Sequence, residues 1–305
     1  MEELLAAPIR SRGNEIFIES DDKQKRNILR RMMEDLTTHV ELGRTPGPDL
    51  VRAVFKAASG DAEEDSELLK EAEITVPGGF ARVFPRSIRQ AGYIDGMRSH
   101  ELCFGIGPAG TGKTFLAVAH ALQRVLSRNK RKLILTRPVV EAGESLGFLP
   151  GDLAQKINPY LRPLYDSMEA LVPHEVIRRM EDNGIIEIAP LAYMRGRSLK
   201  DCFIILDEAQ NTTREQIKMF LTRIGEGSEA VVTGDITQID LPRHKDSGLL
   251  HAARILQAIQ DIHFSFFTSG DVVRNPLVKK IITAYEHYES EEHGNKHQAG
   301  KRNQS

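Results

Sequence analysis

A chain of 305 residues, 40% hydrophobic and 28% charged, is large enough for a full α/β core with a small second unit and has an ordinary globular makeup. Its formal net charge of −2 excludes a global basic field, so any contact with nucleic acid must be a local patch. Cys103 and Cys202 sit inside the apolar runs LCFGIG and CFIILD, as buried strand residues do in a reducing compartment. The acidic N-terminus is unlike a signal peptide, and no run reaches the ~20 apolar residues of a membrane span, so a cytoplasmic protein without membrane partners is expected.

In chain order, PIRSRGNEIFIES reads as two short strands about a Gly13-Asn14 turn. DDKQKRNILRRMMEDLTTHVEL follows, with Ile28, Leu29, Met32, Met33, Leu36 and Val40 at helical spacing behind an aspartate cap. A second helix is expected over 48–58, completing a small α+β region over 1–60. The run DAEEDSELLKEAE holds seven carboxylates and one lysine; residues 61–78 therefore read as an acidic linker with a short helical part. From 79 to 288 apolar strands alternate with helices. The expected strands are 102–106, 132–136, 185–189, 202–206, 229–234 and 263–267. Strands apolar throughout, each followed by a helix, predict an α/β fold with a mostly parallel sheet covered on both faces. The polar tail 289–305 carries His293 and His297 without metal-ligand spacing and is expected to be disordered. No internal repeat is present.

GPAGTGKT, residues 107–114, follows the first of those core strands and opens a helix. It fits G-x-x-x-x-G-K-[ST] in the context that gives the pattern meaning. Gly107, Gly110 and Gly112, with Pro108, Ala109 and Thr111 between them, let successive backbone N–H groups turn inward. The following helix aims its positive end at the same point. Lys113 then brings a full charge to the β- and γ-phosphates of a nucleotide, and Thr114 offers a hydroxyl to Mg²⁺.

The strand in FIILDEAQ ends in Asp207, placed to hold Mg²⁺, and Glu208 follows directly, where a nucleoside triphosphatase puts the base that prepares water. A third strand, in VVTGDITQID, leads to Gln238, a candidate sensor of the γ-phosphate; turn chemistry explains Gly234-Asp235 equally well. Gln90, on a helix before the first core strand, has an amide that matches an adenine edge, though a lone polar residue on a helix is often only solvated.

Together these pieces resemble the PhoH-like ATPase family. The resemblance rests on GIGPAGTGKTFLA, TRPVVEAGESLGFLPGD, LAYMRGRSL, FIILDEAQNTT, VVTGDITQIDLPR and DVVRNPLV, and spans about residues 74–288. It implies a RecA-like P-loop NTPase sheet related to superfamily 1 helicases, with links to phosphate starvation and RNA metabolism, often alongside an endoribonuclease partner. Carried over, Lys113 and Thr114 bind nucleotide and Mg²⁺, Asp207 and Glu208 are the metal and water acids, Gln90 contacts adenine and Gln238 is the sensor. Family members often have His where this chain has Asn275. Longer bacterial members also carry a complete KH-like N-terminal domain; Met1 is expected to begin partway into it, and no KH-type G-x-x-G loop is present in residues 1–60.

Superfamily 1 helicases bring arginines to the nucleotide from a second ATPase-like domain, for which the residues after Glu286 are expected to leave no room. A neighbouring subunit of a ring-like homo-oligomer, such as a hexamer, is then the natural donor. Arg274 is the first candidate, either as such a finger or as a helix-start surface residue; Arg195, Arg197 and Arg137 follow. Candidates for a track of single-stranded RNA are Arg137, Tyr160, Arg162, Arg195 and Arg197, with Tyr193 and the basic run SRNKRK; interface, core-edge and solvated-helix roles compete with that reading. The functions in play are an ATP-hydrolysing enzyme acting with RNA, a nucleotide-dependent switch or assembly factor and, disfavoured by Glu208, a P-loop kinase.

Overall fold

The computed structural model describes residues 1–13, 15–43, 45–60, 63–138, 153–243 and 246–272. After a short α1 (Glu2–Leu5), β1 (Ile9–Arg12) and β2 (Glu15–Ile18) form the expected antiparallel hairpin, Ile9 opposite Ile18. Helix α2 (Lys23–Glu41) begins at Asp22, whose Oδ1 accepts from the Gln24 amide at 2.8 Å. Its buried stripe is Leu29, Met32, Leu36 and then His39, while Val40, expected inside, is 53% exposed. The stripe advances by three, four and three residues, which turns His39 inward and Val40 out.

Helix α3 (Pro48–Ser59) opens on a proline at its first position. The stretch 61–78, expected as a linker with a short helical part, instead packs into the core. It forms α4 (Glu63–Glu71) and β3 (Ile74–Val76), which pairs with β4 (Ala81–Val83), and Leu69, Ala72, Ile74 and Val76 are fully buried. Asp35 on α2 ties α4 down, accepting from Ser66 Oγ at 2.6 Å and meeting Lys70 Nζ at 2.5 Å. Glu67 and Glu71 face solvent, so these two carboxylates mark one side of an amphipathic helix whose other side, at Leu69, is core.

The rest of the chain supplies α5 (Ile88–Ser99), β5 (Leu102–Ile106), α6 (Lys113–Leu126), β6 (Lys132–Arg137), α7 (Leu153–Glu169), α8 (His174–Asp182), β7 (Ile186–Pro190), β8 (Cys202–Leu206), α9 (Arg214–Leu221), β9 (Glu229–Gly234), α10 (Gly248–Leu256) and β10 (Ile262–Phe266). The strands form a six-stranded sheet in the order β10-β5-β9-β8-β6-β7, every pair parallel. Each expected core strand lies within one residue of its place. Cys103, Leu133, Phe203, Ile205 and Val231 face one layer, which includes α5, α6 and α7. Phe104, Ile134, Ile204, Leu206 and Val232 face the other, with α9 and α10. Burial on both faces is why these strands read as unbroken apolar runs. The loops after β5, β6, β8 and β9 leave one edge of the sheet, and β9 lies between β5 and β8, as in a RecA-like P-loop NTPase. Among the described residues no helix is long and apolar enough to cross a membrane.

His120 on α6 is buried edge-on to Phe203, ring centroids 5.5 Å apart. Burial lowers its pKa to about 4, below the ordinary value near 6.5. As pH falls, the unfolded chain takes up this proton before the folded one does. Stability is therefore lost progressively from about pH 6.5 down to about pH 4. His120→Leu is expected to remove that loss, reducing the acid destabilisation by on the order of 2–3 kcal/mol at pH 4 relative to wild type. Urea melts of both proteins at pH 7 and pH 4 check it; equal acid losses would refute it.

Candidate active site

The loop between β5 and α6 is anchored at its start, where the Gly107 amide donates to the Gly234 carbonyl at 3.0 Å. Gly112, the last residue before α6, has φ 83°, and a Cβ there would stand 3.0 Å from Gln90 Nε2. Only glycine meets both conditions without strain. Lys113 is 7% exposed, its Nζ donating to the carbonyls of Gly107 (2.7 Å) and Pro108 (2.8 Å) and lying 3.3 Å from Thr111 Oγ1. Burial pushes its pKa down, while the carboxylates of Asp235, Asp207 and Glu208 pull it up. The ammonium thus sits at the mouth of the loop, held by carbonyls that a phosphate oxygen can replace.

Across from the loop, the Oδ1 of Asp207 accepts from Thr114 Oγ1 and from Thr233 Oγ1, each at 2.7 Å. Among the described residues no three His, Cys, Asp or Glu side chains gather to hold a metal. One carboxylate beside one threonine hydroxyl suits Mg²⁺, which takes few protein ligands and completes its shell with phosphate and water. These residues fit that ion. A cavity of about 270 Å³ brings together Lys113, Thr114, Asp207, Glu208 and Gln238.

Glu208 has a left-handed backbone (φ 53°, ψ 37°). Its Oε1 accepts from Arg137 Nη2 at 2.6 Å and its Oε2 accepts from Gln210 Nε2. Arg137 Nε also lies 3.6 Å from Asp207 Oδ2. The structure thus brings Arg137, a nucleic-acid candidate in the sequence, to the two acids.

The site also includes Asp235, which the sequence presents as turn chemistry, and Gln210, which no sequence signal singles out. Asp235 is 4% exposed, and its Oδ2 accepts from the Ala109 amide (2.9 Å) and Gln238 Nε2 (3.0 Å). Its Oδ1 accepts from the Thr237 amide (2.9 Å) and hydroxyl (2.6 Å). The Asp235 amide in turn donates to Gln210 Oε1 at 3.0 Å, so one glutamine links Asp235 to Glu208. The signal was present: VVTGD, like FIILD, is an apolar strand run closely followed by aspartate.

Gln90 is 4% exposed on the first turn of α5; its Nε2 donates to the Thr111 carbonyl at 2.9 Å and its Oε1 accepts from the Arg86 amide at 2.7 Å. It lines a second cavity of about 610 Å³ with Thr45, Pro48, Phe84 and Phe115, and this cavity shares Gly110 and Gly112 with the first. The start of α3 therefore contributes to the wall of the space beside the loop.

The remaining candidates are dispersed. Tyr193 (52% exposed) and Arg195 stand on the turn after β7, at the same sheet edge as the loop. Arg197 is paired through both Nη atoms with Glu187, which Lys132 also meets at 2.5 Å; Arg197 first, and then Lys132, hold that carboxyl down to about 2. Arg162 pairs with Asp166 at 2.8 Å and Glu169 at 3.3 Å on its own helix. SRNKRK precedes β6 and lies at the opposite sheet edge, where Lys130 meets Glu229 at 3.0 Å. Arg274, Asn275, the tail and most of TRPVVEAGESLGFLPGD lie outside the described residues, as does the side chain of Tyr160.

A family model described as PhoH-like protein matches residues 82–286. The PhoH-like protein of Bacillus subtilis (strain 168) is 47% identical over 286 residues, covering 94% of this chain and 89% of that protein. The PhoH-like protein of Mycobacterium tuberculosis (strain H37Rv) is 46% identical over 289 residues, covering 95% and 82%. Protein PhoH of Escherichia coli (strain K12) is 37% identical over 265 residues, covering 86% and 72%. With a family match across most of its length and relatives this similar over nearly all of it, the chain belongs to the PhoH-like protein family.

Proposed function

We propose that the chain binds ATP with Mg²⁺ and hydrolyses it, in work coupled to single-stranded RNA. The observation that carries this reading is the convergence of Lys113, Thr114, Asp207, Glu208 and Gln238 on one cavity below the glycine loop. Loop amides and Lys113 Nζ hold the β- and γ-phosphates, the ammonium trading the Gly107 and Pro108 carbonyls for phosphate oxygens. When bound between Thr114 and Asp207, Mg²⁺ neutralises charge on the phosphates. Glu208 orients the attacking water and accepts its proton, and Gln238, positioned by Asp235, contacts the γ-phosphoryl group or that water. The base enters the cavity beside Gln90, whose amide is already fixed by Thr111 and Arg86 and presents a set orientation.

RNA coupling is supported by exposed Tyr193 and Arg195 at the sheet edge that carries the phosphate loop. A ring-like homo-oligomer with Arg274 completing a neighbour's site remains our reading of its architecture. A nucleotide-dependent switch that turns over slowly is the second reading, favoured by the occupied carboxylate of Glu208.

The test is ATP binding by calorimetry and phosphate release by the purified chain. Chelating Mg²⁺ is expected to weaken ATP binding at least ~10-fold, the weight of one well-placed charge contact. An added oligouridylate is expected to raise phosphate release several-fold. No ATP uptake with Mg²⁺ would sink the reading; hydrolysis indifferent to RNA would leave the switch.

A further inference from the structure

We propose that Arg137 is a positioning residue that restrains Glu208 in the resting site, and that backbone phosphates of a single-stranded polynucleotide release the restraint by competing for its guanidinium. The inference rests on the hydrolysis reading above and adds to it a route from nucleic acid to the water-activating acid.

The geometry makes the acid less available than its place in the cavity suggests. Glu208 lines the phosphate cavity, yet each of its carboxylate oxygens already accepts from a side chain, Arg137 on one and Gln210 on the other. A water held by this carboxylate must compete with a charge-assisted bond of 2.6 Å from a guanidinium that also approaches Asp207. The restraint is partly enclosed, with 16% of the Arg137 side chain left open to solvent. Its backbone is held as well. Arg137 ends β6, and the Asp207 amide donates to the carbonyl of its neighbour Thr136 at 2.9 Å.

Glu208 itself sits in a conformation that costs a non-glycine residue about 1 kcal/mol or more. It lies at the junction between β8 and a short turn of 3₁₀ helix, Ala209–Asn211. A side chain held there by two donors has another backbone basin open to it once one donor leaves. In the proposal the acid is thus a two-position element, which ligands bias only by binding one position better than the other.

The releasing ligand follows from what surrounds Arg137. In the sheet Arg137 is in register with Pro190, and the turn directly after Pro190 carries exposed Tyr193 and Arg195. Among the described residues the Arg195 side chain makes no hydrogen bond or ion pair. An aromatic face beside a solvated guanidinium suits a base stacked next to a backbone phosphate. A strand lying across the ends of β6 and β7 brings phosphates to the neighbourhood of Arg137, where a phosphate oxygen replaces the carboxylate as its partner. Nucleic acid then frees the acid that hydrolysis needs.

The experiment compares wild type, Arg137→Gln, Arg137→Lys and Glu208→Gln, each first checked by thermal melting and ATP binding. Phosphate release is measured at saturating ATP without and with an oligouridylate of about 20 nucleotides. If the resting site is competent for roughly 10–30% of the time, Arg137→Gln is expected to raise RNA-free turnover about three- to ten-fold. ATP affinity is expected to stay within about two-fold, and the ratio of stimulated to basal turnover to fall toward one. Arg137→Lys, which keeps the charge but loses the forked contact, is expected to fall between the two. It also serves where the glutamine variant melts early. Turnover unchanged or reduced in both Arg137 variants, with an active wild type, overturns the restraint while leaving hydrolysis intact. Phosphate release by every variant no higher than that of Glu208→Gln, despite ATP binding, overturns the hydrolysis reading and the restraint with it.

Discussion

Glu208→Gln is expected to lower phosphate release by roughly 10²–10⁴-fold, the usual contribution of a positioned general base. ATP is expected to bind within about three-fold of wild type, because the phosphates are held by other groups. The glutamine keeps the length and one acceptor oxygen of the glutamate, but at any working pH it cannot take a proton from water. Lys113→Ala separates the two steps. It removes the cation that the Gly107 and Pro108 carbonyls now hold at 2.7 Å and 2.8 Å, and with it a charged contact to the triphosphate. ATP affinity is expected to drop roughly 10- to 100-fold, the weight of a hydrogen bond to a charged group. Calorimetric titration with ATP, alongside single-turnover phosphate release, distinguishes the variants. Tight binding without turnover in Glu208→Gln, and weak binding in Lys113→Ala, is the expected pair. Undiminished turnover in Glu208→Gln would remove the water-activating role from this residue.

The parts of this site that were legible in the sequence are those made by one continuous segment. A phosphate loop needs glycines at fixed offsets between a strand and a helix, and 107–114 carries them in order. Asp207 and Glu208 were legible because an unbroken apolar strand must end somewhere polar, and a parallel sheet puts such ends at one edge. Asp235 meets the same test, but Gly-Asp is also ordinary turn chemistry, so the sequence alone does not set it apart. The five hydrogen bonds of its carboxylate and amide reach Ala109, Gln210, Thr237 and Gln238, and the first of these is 126 residues away. The charge of Arg137 is plain in the sequence, but which partner takes it depends on β6 lying beside β8, a fact of sheet order. The stretch 61–78 is hard to read from sequence for a different reason. Counting carboxylates describes the wet side of α4, and the few residues that anchor it, Leu69 and Ala72, are sparse enough to be lost in the acidic run. Composition averages over faces, whereas packing needs only one.

Asp235→Ala is expected to destabilise the protein by about 2–4 kcal/mol and to weaken ATP binding at least ~10-fold. The carboxylate is nearly fully buried and is the acceptor for two backbone amides and two side chains. Alanine leaves all four donors behind. The Thr237 hydroxyl and the Gln238 amide can turn toward water, but the amides of Ala109 and Thr237 are fixed by the chain. Ala109 lies within the phosphate loop itself, so the lost bond loosens the curvature that points the loop amides at the ligand. The change also withdraws the first of the three carboxylates that favour the charged form of Lys113. Asp235→Asn tests the argument more finely. It keeps the volume and one acceptor, but sets an NH₂ against two of the donors, so it is expected to lose stability comparably. Gln238→Ala, which removes a single donor and leaves the carboxylate in place, is expected to cost under about 1 kcal/mol. Urea melts of the three variants rank them, and ATP titrations of the folded proteins show whether affinity follows. If Asp235→Ala melts like wild type and binds ATP equally well, the aspartate is no more than the turn residue its sequence suggested, and the loop draws its shape from glycines alone.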